Sequence, residues 1–128
     1  MYFLAYLRHL ILANTRHGTH SPFVYRLLEE VVYTHRQIPL QERLVHYLGQ
    51  DNVVVIGQEK DQLPAHLLDT ATHSQILLVQ GIYKSKSTRV IWGEIRRHPR
   101  VTVTIDFFFL GLAFFKTDQA PENFRIRV

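Results

Sequence analysis

Val53-Val54-Val55-Ile56, running into Gly57, and Ile76-Leu77-Leu78-Val79, running into Gln80 and Gly81, are the two stretches on which the fold turns. Each is a short apolar run with no polar alternation. The first is β-branched throughout, which favours strand over helix. Such runs predict strands buried on both faces, as in a parallel sheet. Parallel neighbours need a crossover, and the segment between them, Asp61 to His73, reads as a helix whose start is limited by Pro64. Toward the C-terminus the spacing predicts a helix over Ser87 to Arg97, with Val90, Ile91 and Ile95 inward and Pro99 ending it. Arg100 to Asp106 then alternates, with Val101, Val103 and Ile105 to one side and Thr102, Thr104 and Asp106 to the other. That is the pattern of a half-buried strand. Phe109 to Phe115 predicts its antiparallel partner, turning around Asp106 to Phe108. The tail Phe124-Arg125-Ile126-Arg127-Val128 alternates as an edge strand.

Toward the N-terminus the pattern is helical. Phe3, Tyr6, Leu7 and Leu10 recur at helical spacing within Tyr2 to Ala13, and Asn14 to Thr19, with Gly18, forms a polar stop. Ser21-Pro22 opens a second helix, Ser as cap and Pro as first helical residue. Its buried face is Val24, Leu27, Leu28, Val31 and Val32. Pro39 starts a third through Leu40, Leu44, Val45 and Leu48, closed by Gly49. The expected architecture is α/β, with N-terminal helices before parallel strands and a C-terminal antiparallel hairpin.

Composition narrows the function classes. A chain of 128 residues fits one domain, here divided into a helical part over 1–50 and an α/β sheet over 51–128. With 46% hydrophobic and 20% charged residues it has the make-up of a globular protein. It has no Cys, which excludes disulfides, thiol catalysis, Cys-based zinc sites and iron–sulfur clusters. The formal charge is +4, with eight His beyond that. This excess favours an anionic partner without naming one. The apolar run Met1 to Leu7 meets Arg8 and His9 at once and is too short to cross a bilayer. A cytoplasmic protein without membrane contact is expected.

Two stretches resemble class I S-adenosylmethionine-dependent methyltransferases. The first is Tyr6-Leu7-Arg8-His9-Leu10 with Arg16-His17-Gly18-Thr19-His20-Ser21-Pro22-Phe23-Val24-Tyr25, similar to the helical preface of one bacterial branch. The second is Ile82-Tyr83-Lys84-Ser85, Trp92-Gly93-Glu94-Ile95 and His98-Pro99 through Phe115, similar to that branch's last crossover helix and terminal hairpin. The resemblance implies a small Rossmann-like sheet and S-adenosylmethionine as cofactor. It also implies a Gly-rich turn and acids at the strand ends. Here one Gly, Gly57, stands in the turn, Val55 replaces the usual acid, and Gln80 and Gly81 stand at the positions of paired Asp residues. A segment holding several strands is missing. The reading that follows is a degenerate, non-catalytic methyltransferase-like domain acting as a binding or structural protein. The alternative is a methyltransferase that still binds cofactor, assembled as a dimer. A nucleic-acid-binding module driven by charge is the weaker alternative.

Candidate residues follow from both lines. Gly57, Gly81 and Tyr83 are the cofactor-side candidates, since ligands of open α/β sheets bind at strand carboxyl ends. Lys84 and Ser85 would suit an anion at a helix start, or Ser85 or Ser87 would simply cap it. Arg16, His17 and His20 are a second anion or ligand candidate, although no acid completes a metal set. Arg96-Arg97-His98-Pro99-Arg100 is read as neutralising the last carbonyls of the helix it ends. No paired-carboxylate or Ser–His–Asp arrangement stands out. The five Phe between Phe107 and Phe115 read as core, and as a protein-contact surface where a shortened sheet leaves them uncovered. A shortened sheet also exposes an edge strand. Both features point to a homodimer.

Overall fold

The computed structural model of the chain describes residues 22–57, 66–118 and 121–126. Helix α1 (Pro22–Leu27) continues as a π-helix (Leu28–Val32), followed by α2 (Leu40–Leu48) and a 3-10 turn (Gln50–Asn52). Then come β1 (Val53–Ile56), α3 (Leu67–Thr70), β2 (Ile76–Gln80), α4 (Lys86–Arg97), β3 (Val103–Asp106), β4 (Leu110–Phe114) and β5 (Glu122–Arg125). The strands form one mixed sheet ordered β1-β2-β4-β3-β5. β1 runs parallel to β2 and β3 parallel to β5, while β4 lies antiparallel between β2 and β3. The α/β class and the antiparallel β3–β4 pair are therefore as expected. The helix Tyr2 to Ala13, the polar stop after it, the cap Ser21 and the first residues of the segment from Asp61 lie outside the described residues.

Strand periodicity sorts the core into two layers. Ile76 and Leu78 of β2, with Val103, Ile105, Leu112 and Phe114, face Val24, Leu27, Leu28, Val31, Val32 and Leu44. Leu77 and Val79, with Ala113, face Leu68, Ile91, Trp92 and Ile95 on the other side. Each side chain buried this way contributes about 1.5–3 kcal/mol. The π-helix serves the first layer. Its wider turn, closed by the Tyr33 N–H on Leu28 O at 3.1 Å, brings Leu28, Val31 and Val32 inward together. Arg43 of α2 collects the carbonyls at its end, donating from Nη1 to Val31, Val32 and Thr34 and from Nε to Ile38, at 2.8–2.9 Å. In the second layer the six-membered ring of Trp92 packs against Gly111. A Cβ on that glycine would stand 2.5 Å from Trp92 Cη2, so the close approach requires glycine.

Four expectations are corrected. Among the described residues β1 is an edge strand, not one buried on both faces, and Val55 is 42% exposed. β3 is buried along its whole length instead of half-buried. It lies inside the sheet, and its polar residues have partners there: the Thr104 hydroxyl donates to Asn123 Oδ1. Val90 points outward, at 50% exposed, and Thr88 and Trp92 take the inward positions beside Ile91 and Ile95. Helix α2 begins at Leu40, with Pro39 in an extended conformation before it.

Candidate functional site

β1, β2, β3 and β5 point the same way, so their carboxyl ends share one rim. Because β4 runs oppositely, the hairpin tip Phe107–Phe109 arrives at the same rim. Gly57 ends β1 there. A Cβ at Gly57 would stand 2.8 Å from Gln80 Oε1, so the Gln80 side chain occupies the space beside the glycine. Gln80 Nε2 in turn donates to Gln41 Oε1 of α2 at 2.8 Å. The two glutamines thus tie the end of β2 to the helix layer across the end of β1.

Gly81 has φ +59°, a left-handed conformation that suits glycine. This turn aims its N–H at Phe109 O, at 2.9 Å, and fastens β2 to the hairpin tip. Two residues on, the Tyr83 hydroxyl donates to Asp106 Oδ2. Its ring tilts on Phe108, with centroids 5.2 Å apart. Asp106 is 4% exposed. Its Oδ1 accepts the Phe108 N–H at 2.8 Å, and Arg125 Nε stands 3.7 Å from Oδ2. A buried carboxylate at the end of an apolar strand therefore meets a phenol, a backbone N–H and a guanidinium.

That carboxylate holds a strained turn. Phe108 has φ +73° although it is a bulky residue, a conformation costing about 1–3 kcal/mol. Its own burial and the bond from its N–H to Asp106 offset the strain. Burial first, then the hydrogen bond to Asp106 and the carboxylate's charge, push the Tyr83 phenol up to about 12. A phenol with so high a pKa is a neutral donor at neutral pH and neither base nor nucleophile. The cluster is a lock between β2, β3 and β5.

Gly57, Gly81 and Tyr83 are therefore brought together on one rim, and Lys84 and Ser85 follow on its exposed side. Ser85 is committed to capping α4. Its Oγ accepts the Thr88 N–H at 3.1 Å, and Thr88 Oγ1 accepts the Ser85 N–H at 3.1 Å. Arg16, His17 and His20 lie outside the described residues. In the basic cluster, Arg96 and Arg97 do occupy the last turn of α4, but Arg100 serves another helix, donating to Leu68 O and Ala71 O at the end of α3. Sequence reasoning did not single out Gln41, Asp106 or Arg125 as site residues. Asp106 carried a signal. An acid between Ile105 and three consecutive Phe residues sits where burial is to be expected, and buried acids are paired.

S-adenosylmethionine, which the resemblance implies, does not fit these residues. The Gln80 side chain occupies the space beside Gly57, and Val55, Gln80 and Gly81 stand where the resemblance implies acids. Asp106, the acid among the described rim residues, is already bonded to Tyr83 and Phe108. Among the described residues no group of His, Asp and Glu is arranged to hold a metal ion, and no helix is long and apolar enough to cross a membrane. No family model, curated protein or solved structure matches the chain.

Proposed function

We propose that the chain is a non-catalytic, methyltransferase-like sheet serving as a binding or structural module. The observation that carries this reading is the rim at the strand carboxyl ends, filled by the Gln80–Gln41 pair and the Tyr83–Asp106–Arg125 cluster. The crossover helix α4 and the hairpin after it lie where the resemblance leads one to expect them, which supports a Rossmann-like origin. A cytoplasmic location accompanies the reading, in keeping with a chain free of Cys.

The partner we favour is a second copy. Among the described residues β1 pairs with β2 alone, and Val53–Ile56 carries no charge, no Pro and no Lys. Edge strands normally have such a guard or a cover. Isologous pairing of two β1 strands covers both edges through one twofold axis. Calorimetric titration with S-adenosylhomocysteine tests the first claim. No heat at high ligand concentration is expected, and micromolar binding would overturn it. Sedimentation tests the second, with a dimer expected and a monomer at high protein concentration refuting it.

A further inference from the structure

The opposite rim of the sheet is different in character. Three chain segments, at 70–73 after α3, 99–102 ahead of β3 and 115–117 after β4, enclose a groove of about 640 Å³. Among the described residues two permanent cations line it, Arg100 and Lys116, together with His73 and four threonines, and no acid. Its volume is within the range of small-molecule sites. Arg100 comes from the segment ahead of β3 and Lys116 from the segment after β4, which is why they do not form a run in the sequence.

The groove's chemistry favours an anion with an organic body. Arg100 is held in place by its bonds to Leu68 O and Ala71 O, which commit two of its five N–H groups and orient the rest of the fork. Lys116 Nζ is 3.7 Å from Asp118 Oδ1 and 4.4 Å from the Phe23 ring centroid, two contacts in which no short charge-assisted bond is made. Thr117 lines the groove with a further hydroxyl, while the Thr102 hydroxyl donates to Phe114 O at 3.4 Å and the Thr72 hydroxyl pairs with Ser74 Oγ at 3.2 Å. Pro99 and Phe115 supply apolar wall for the part of a ligand that carries no charge. The neighbouring acid Asp69 is taken up by His98, at 3.0 Å, while Arg96 and Arg97 lie exposed close by.

We propose that this groove binds a small phosphorylated molecule of nucleotide size. The phosphate would lie between Arg100 and Lys116 and the organic part against Pro99 and Phe115. The site is at the far end of the sheet from the closed rim, so it goes beyond the scaffold reading and stands or falls separately from it. The test is titration of the full chain with inorganic pyrophosphate and with adenosine 5′-monophosphate at low salt, read by backbone amide shifts. Saturating shifts confined to residues 70–73, 99–102 and 115–117 are expected for both. Lys116→Gln leaves the Arg100–carbonyl bonds untouched and is expected to weaken pyrophosphate binding about five- to tenfold, as loss of one charge-assisted contact would. Shifts absent from the groove, or unchanged in Lys116→Gln, would overturn the proposal. So would a single-stranded RNA oligomer that binds far more tightly, spreads its shifts over Arg96 and Arg97 and loses affinity steeply with salt. Such a result would assign the face to nucleic acid instead.

Discussion

Gly111→Ala is the sharpest test of the packing. The added methyl would stand 2.5, 2.7 and 2.9 Å from three atoms of the Trp92 six-membered ring, and real Cβ contacts are longer. Trp92 is 2% exposed and lies between the sheet and α4, so it cannot swing away without opening the second core layer. Overpacking of this kind costs about 1–3 kcal/mol. Against it stands the gain of about 0.5–1 kcal/mol from replacing glycine inside a strand. The net expectation is destabilisation by about 1–2 kcal/mol. In a Trp92→Phe background the ring no longer reaches the new methyl, and the same substitution should be neutral or slightly stabilising. The coupling energy between the two sites is therefore expected at about 2 kcal/mol. Urea unfolding of the four proteins of this cycle, followed by far-ultraviolet circular dichroism, measures it directly. Trp92 is the chain's single tryptophan, so fluorescence of Gly111→Ala also reports its displacement. Additive effects, with coupling near zero, would refute the reasoning that Gly111 is a glycine because of Trp92.

Three further outcomes follow from the same structure. The fold raises the Tyr83 phenol above its ordinary value of 10, so the stability it lends is complete below pH 10 and is lost as pH rises through about 12. Unfolding measured from pH 8 to 12 should show this decline in the wild type and a shallower one in Tyr83→Phe, and equal slopes would contradict it. Arg43→Met leaves four backbone carbonyls of the π-helix and its following turn without their donor, and should cost about 3 kcal/mol, lowering Tm by roughly 10 °C. A change of less than 2 °C in a thermal melt, on the same scale, would mean those bonds contribute little. Val55→Lys places a charge on the edge strand at an already exposed position, so the fold should persist while sedimentation shifts to a monomer; an unchanged mass would remove β1 from the interface.

Element types were readable in the sequence wherever period and punctuation agreed. Val53–Ile56 and Ile76–Gln80 are strands, and Lys86–Arg97 is a helix stopped before Pro99. Position within the sheet was not readable. Val53–Ile56 looks like a central strand because its composition is that of one, yet a strand's place depends on which partners reach it from elsewhere. The same gap hid the burial of β3. Thr104 and Asp106 alternate as if facing water, and only the arrival of Asn123 and Arg125 on β5 makes their burial affordable. Val90 is a different case, because the signal is local: with Ile91 and Ile95 inward, helical spacing puts Thr88 and Trp92 on the same face and turns Val90 away, and Gly111 on a distant strand leaves room for the tryptophan. At the rim, Gly57, Gly81 and Tyr83 could be singled out because they follow strands. Gln41, which bonds to Gln80, has no local signal at all.

The strand order has a consequence for synthesis. β4 sits at the centre of the sheet, paired on both sides, yet its residues 110–114 follow β1, β2 and β3 in chain order. Until the ribosome delivers that segment, β2 and β3 have no common neighbour, and the apolar faces of residues 76–80 and 103–106 have no middle to close upon. Vectorial folding of this chain therefore cannot proceed by adding finished pieces. The nascent protein carries an incomplete sheet until that segment emerges, and in that interval its open strands are most in need of a chaperone.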